Sequence, residues 1–193
     1  SAELVDLRQS HIRKYNPYQP AGYLVLGTTG ESVALSDAES LRLVASARAA
    51  SPDRLLIAGT GRESTRATVE FSRAAAAEGA DAVLVRPPVF FRSALDRPAL
   101  ERFFRQVADG SPVPVLLYNI PSHTGVELDS ALVLPLLRHP NVAGVKDSSG
   151  SLALLGGVVG LATVFGLVPV AAMTLVGIPA LALILLAALI LWT

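Results

Sequence analysis

Five short β-rich runs, each followed by a small-residue loop and then a helical pattern, constrain this chain more than any other feature. They are GYLVLG (22–27), RLLIAG (54–59), DAVLVR (81–86), PVPVLLY (112–118) and NVAGVK (141–146). The spacing is roughly 30 residues, the size of one strand-plus-helix unit. Neighbouring parallel strands need helical crossovers, so this repetition predicts an α/β fold with a parallel sheet. The intervening segments carry their own helix signals. Ser36 and Glu39 stand in capping-box spacing, Ser64 or Thr65 opens a segment that stops at Gly79, and Asp96 and Pro98 open one that stops at Gly110. Pro135 is expected to kink or shorten the helix begun by DSALVLPLLRH.

In a barrel or an open wound sheet, ligand chemistry gathers where strands end and helices begin. Five loops are thereby selected: GTTGES, GTGRES, RPPVFF, YNIPSHTG and KDSSG. Of the 16 basic residues 14 are arginine, and the two lysines are Lys14 and Lys146. Lys146 ends an apolar run at a strand terminus, where a charge is costly. A desolvated lysine can lose its proton and act as an amine nucleophile, which an arginine cannot do. The alternative is a lysine that reaches from the strand end to solvent. Tyr118 ends the preceding strand and is a candidate proton carrier, or a core tyrosine with a satisfied hydroxyl. In GTTGES, Thr28, Thr29 and the backbone around Gly30 are candidates to hold a carboxylate, or form a plain glycine turn. Together these groups fit one reaction class, in which a lysine amine attacks the ketone of a 2-oxo acid and a tyrosine shuttles protons.

Composition excludes other classes. The formal charge is zero and the arginines are interleaved with acids, which argues against nucleic acid as a partner. There is no cysteine, and His11, His123 and His139 have no metal-ligand spacing, so neither a metal nor a cofactor is expected. Residues 1–20 are polar and lack the apolar core of a signal peptide, and a cytoplasmic location is expected.

GTTGES, YNIPSHTG and GVKDSSG, in this order, resemble the dihydrodipicolinate synthase and N-acetylneuraminate lyase family of class I aldolases over about residues 4–150. AGYLVLGTTGE and RLLIAGTGRESTRATVE are most similar to its 4-hydroxy-2-oxoglutarate aldolase branch. The resemblance implies a (β/α)8 TIM barrel, of which this chain would hold strands two to six, and a homotetramer. It implies pyruvate as the 2-oxo acid partner, Lys146 as the Schiff-base lysine, Tyr118 as proton relay, Thr28 as its hydroxyl partner and Thr29 as a carboxylate ligand. Synthases of the family carry arginine where this chain has His123, a position that binds the second substrate, so lyase activity is favoured over condensation. Phe90 and Phe91 stand where the family has a tyrosine pair, one member of which completes the relay across a subunit interface. A catalytically dead remnant and a membrane-associated binding protein are the competing readings.

From Ser151 to Thr193 no Asp, Glu, Lys, Arg or His occurs, which predicts a boundary near Gly150 between an incomplete barrel domain (1–150) and an uncharged hydrophobic, helical tail (151–193). Residues 170–192 are long enough to span a bilayer, although Pro179 interrupts them and no basic residue flanks them. The preferred reading is a frame-shifted gene end; a membrane anchor and a degenerate substitute for missing barrel strands are the alternatives. A barrel lacking strands is expected to expose sheet edges and to aggregate.

Overall fold

The computed structural model describes residues 12–164 and 173–174. Six parallel strands form one sheet in sequential order: β1 (Gly22–Val25), β2 (Leu55–Gly59), β3 (Ala82–Val85), β4 (Val115–Asn119), β5 (Val142–Asp147) and β6 (Met173–Thr174). The helices α1 (Asp37–Ala50), α2 (Thr65–Ala77), α3 (Arg97–Gly110), α4 (Pro121–Thr124), α5 (Ser130–Leu136) and α6 (Leu152–Val164) lie between them. Strand order that follows chain order, with every pair parallel, is the wall of a (β/α) barrel.

The helix starts follow from local chemistry. Ser36 caps α1 in a reciprocal capping box with Glu39, Ser64 caps α2 through the Ala67 N–H, and Asp96 caps α3 through the Ala99 N–H. Pro135 lies inside α5 and holds it to 7 residues. Alternation along the strands separates two apolar layers. Val83, Val85, Val115, Leu117 and Val145 face the helices and pack with Phe103, Phe104, Leu132 and Leu136. The rings of Phe103 and Phe104 meet edge to face with centroids 5.1 Å apart. Each such buried side chain stabilises the fold by about 1.5–3 kcal/mol. On the opposite face Ile57, Ala82, Leu84, Leu116, Tyr118 and Ile120 form the interior layer of the sheet.

The boundary read near Gly150 falls between β5 and α6. Leu154 and Val158, one helical turn apart, are buried in the helix-side core, and Met173 and Thr174 pair with Lys146 and Asp147. Helix-and-strand alternation therefore continues for one unit past Gly150. Among the described residues no helix is long and apolar enough to cross a membrane. Apart from Met173 and Thr174, the 170–192 span lies outside the described residues.

At the carboxyl end of the sheet, β1 and β2 approach closely. Leu26 turns the chain out of β1 with φ 57°, a left-handed conformation costing an L-residue about 1–2 kcal/mol. A Cβ on Gly59 would lie 2.1 Å from the Leu26 carbonyl oxygen. Because the obstacle is backbone, Gly59→Ala is expected to destabilise the protein by about 1–3 kcal/mol, read as a lower urea midpoint. An unchanged midpoint would show that the β1–β2 end is pliable.

Candidate active site

Lys146, Tyr118 and Thr28 meet at the carboxyl end of the sheet. Tyr118 pairs with Lys146 across β4 and β5, and the register that brings them together contains a shift. Val115 pairs with Val142, but Leu116 pairs with Gly144, leaving Ala143 as an extra, exposed residue. Continuing the first register would have set Tyr118 beside Val145. The bulge instead turns Gly144 and Lys146 to the face that carries Leu116 and Tyr118.

Lys146 is 5% exposed and Tyr118 is 7% exposed. The lysine Nζ lies 3.6 Å over the centroid of the Tyr118 ring and donates to Ser148 Oγ at 3.3 Å. The Tyr118 hydroxyl is 3.3 Å from Thr28 Oγ1. Burial pushes the Lys146 ammonium below the ordinary lysine range, against the opposing pull of the Tyr118 oxygen and Asp147. Burial alone would raise the Tyr118 phenol, but the Lys146 ammonium, with Thr28 and Ser148, outweighs it and lowers the phenol's pKa. Burial thus disfavours the ammonium of Lys146, and the phenol beside it, lowered by that ammonium, meets Thr28, which is exposed at the mouth.

Asp147 points to the other side of the strand, as alternation requires. It is buried, accepts from Asn119 Nδ2 at 2.7 Å, and receives the Ser149 N–H and hydroxyl. Asn119 in turn accepts the Leu128 N–H at 2.9 Å, which ties the loops after β4 and β5 together behind the lysine.

A cavity of about 530 Å³ opens beside these groups, and its wall includes Thr28, Tyr118, His123, Arg62 and Arg86. Thr29, Gly30 and Lys146 are not part of that wall; the lysine lies behind it, over the ring of Tyr118, which is. Thr29 is exposed on the same turn, and the Gly30 N–H is donated to the Gly27 carbonyl at 3.1 Å. His123 is exposed, with Nδ1 3.0 Å from Ser122 Oγ. Phe90 and Phe91 are 79% and 71% exposed, stacked edge to face, and bring no hydroxyl to the cavity. Sequence reasoning missed Ser148, although it stands two residues beyond Lys146 on the same face of an extended segment. It also missed Arg62 and Arg86, both inside loops selected as the mouth of the sheet.

The buried amine carries a stability signature. Its folded-state pKa lies below its unfolded value, so the folded state binds fewer protons between the two values and stability rises with pH across that window. Below it the full cost of burying the charge is present. Lys146→Met is therefore expected to raise the urea midpoint at pH 7, and the gain should shrink as pH climbs toward the ordinary lysine range. A gain that did not change with pH would exclude a desolvated amine.

Known proteins resemble this chain over most of the described residues. Residues 19–163 match the model of the dihydrodipicolinate synthetase family. The chain is 46% identical over 132 residues to 4-hydroxy-tetrahydrodipicolinate synthase 1 of Streptomyces coelicolor, covering 68% of this chain and 43% of that protein. It is 39% identical over 165 residues to the Emericella nidulans protein named "Probable 4-hydroxy-2-oxoglutarate aldolase, mitochondrial", covering 80% of this chain and 53% of the relative. The dihydrodipicolinate synthase of Acinetobacter baumannii, solved in complex with pyruvate, superposes with a TM-score of 0.78 at 26% identity, over 90% of this chain and 64% of that one. The chain thus spans about half the length of the curated relatives it matches.

Proposed function

Because the chain belongs to the dihydrodipicolinate synthetase family, we propose that it takes part in class I aldolase chemistry on a 2-oxo acid, cleaving 4-hydroxy-2-oxoglutarate to pyruvate and glyoxylate. The observation that carries this reading is the buried Lys146 amine, 3.6 Å over the Tyr118 ring, with the Tyr118 hydroxyl 3.3 Å from Thr28.

The neutral amine adds to the C2 ketone and water leaves, giving a protonated imine on Lys146. A base removes the proton of the C4 hydroxyl, the C3–C4 bond breaks, and its electron pair flows into the imine to form an enamine as glyoxylate departs. Protonation at C3 and hydrolysis return pyruvate and the free amine. Tyr118 carries the protons at each stage and exchanges them through Thr28 with the mouth of the cavity. The carboxylate beside the reacting ketone belongs to the GTTG turn, where Thr28 and Thr29 supply hydroxyls. His123 faces the departing aldehyde half. A phenylalanine pair in place of relay tyrosines leaves Tyr118 and Thr28 as the proton path.

The exposed Phe90 and Phe91, and the exposed Val33, support association of copies, with a homotetramer as the assembly proposed. Residues 1–150 supply the site in the same proposal, and the uncharged apolar stretch 151–193 begins with a helix whose Leu154 and Val158 pack on the same core.

The test is pyruvate release from 4-hydroxy-2-oxoglutarate by the 193-residue chain, followed by coupled reduction with lactate dehydrogenase. Turnover that scales with protein concentration is expected. The 46% identity to a synthase makes condensation of pyruvate with an aldehyde the competing activity. Faster condensation than cleavage would reverse the assignment.

A further inference from the structure

We propose that Arg86 is the specificity-determining residue of this cavity, recognising a second carboxylate at the far end of a 2-oxo acid. The proposal rests on the aldolase reading for the position of the ketone, but its own content, selectivity for a dicarboxylate, is a binding property.

Arg86 directly follows Val85, the last residue of β3, and so stands at the carboxyl end of the sheet. It lines the same cavity as Thr28, Tyr118 and His123. The neighbouring loop is shaped around it. A Cβ on Gly61 would lie 2.8 Å from Arg86 Cγ and 2.9 Å from its backbone nitrogen, so a glycine there lets the side chain pass.

One edge of the guanidinium is fixed. Nη2 lies 3.0 Å from Glu63 Oε1, and Nη1 donates to the Pro87 carbonyl at 2.9 Å. Glu63 is itself anchored, because its Oε2 accepts the Val89 and Phe90 N–H groups at 2.9 Å each. Burial would raise the Glu63 carboxyl, and those two donors with Arg86 hold it low instead. The Arg86 Nε has no acceptor among the described residues, nor do the remaining hydrogens of its fork. A planar fork held along one edge and open along the other suits a carboxylate directionally, beyond what charge alone would give.

The other guanidinium in the wall does not offer this. Arg62 places Nε and Nη2 on Asp37 Oδ1 at 3.0 and 2.8 Å, sends Nη1 to the Gly61 carbonyl, and stacks 3.7 Å over the Phe71 ring. It pins the loop after β2 to the start of α1. The cavity is also larger than a three-carbon 2-oxo acid needs, at about 530 Å³, which leaves room for a distal group.

The experiment is equilibrium binding of 2-oxoglutarate against 2-oxopentanoate, which has the same five-carbon chain with a methyl in place of the distal carboxylate. Titration calorimetry on the 193-residue chain is expected to show at least a tenfold preference for 2-oxoglutarate, about 1.4 kcal/mol. Arg86→Gln should erase that margin. Arg86→Lys, which keeps the charge and loses the fork, should retain a smaller one and guards against a variant that fails to fold. An absent preference in the unaltered chain, or one that survives Arg86→Gln, overturns the proposal. Borohydride trapping of pyruvate on the unaltered chain reads the aldolase assignment separately. Its failure alongside an intact, Arg86-dependent preference would sink that assignment and leave this one standing.

Discussion

Lys146→Ala is expected to reduce cleavage of 4-hydroxy-2-oxoglutarate to the uncatalysed background while the protein stays folded. No neighbouring group can substitute. The remaining lysine, Lys14, precedes β1, and the guanidiniums of the cavity wall cannot become amine nucleophiles. Removal of a buried cation whose pKa is depressed by its surroundings also relieves a cost. Stability at neutral pH should therefore hold or rise as activity vanishes. That combination separates a catalytic lysine from a structural one, because a structural lysine would lose stability on truncation. Residual turnover above background in the folded variant would remove Lys146 from the mechanism.

Tyr118→Phe is expected to lower turnover by about 10²–10⁴-fold, the range for loss of a general acid–base group. The ring would stay, and with it the packing against Leu116 and Ile120 in the interior layer. Only the hydroxyl that meets Thr28 at 3.3 Å would go. With no tyrosine at positions 90 and 91, no second phenol from that loop stands in for it. Stability should change little, and pre-steady-state traces should show slowed formation of the imine more than weakened binding. A loss confined to KM would mean that Tyr118 shapes the pocket and moves no proton.

The α/β wall was legible because each unit announces itself twice, by an apolar strand run and by a capped helix start. Ser36, Ser64 and Asp96 each satisfy an orphan N–H three residues on, a purely local arrangement. That Lys146 and Asp147 take opposite faces follows from period-two alternation. What alternation cannot supply is register. The shift at Ala143 sets Lys146 beside Tyr118, and nothing in NVAGVKD marks it apart from small residues. The same limit hid Arg62 and Arg86. Their partners Asp37 and Glu63 belong to other stretches of the chain, and only the fold decides which guanidinium is consumed and which keeps an open edge. Thr29 and Gly30 were selected from the turn's composition; the fold adds that the Gly30 N–H closes the turn onto Gly27, with Thr29 exposed on it. The uncharged stretch after Ser151 was read as a break because it lacks a polar face. Leu154 and Val158 nevertheless pack into the core as α6, since packing on the sheet needs one apolar face and does not require charge on the other.

The account turns on whether the Lys146 amine forms an imine with a 2-oxo acid. The direct measurement is reduction with sodium borohydride in the presence of pyruvate, followed by peptide mass spectrometry of the 193-residue chain. The account predicts one pyruvate-derived adduct, confined to the peptide that contains Lys146, absent without pyruvate and absent in Lys146→Ala. A folded chain that yields no adduct, or one modified at Lys14 to the same extent, would contradict it.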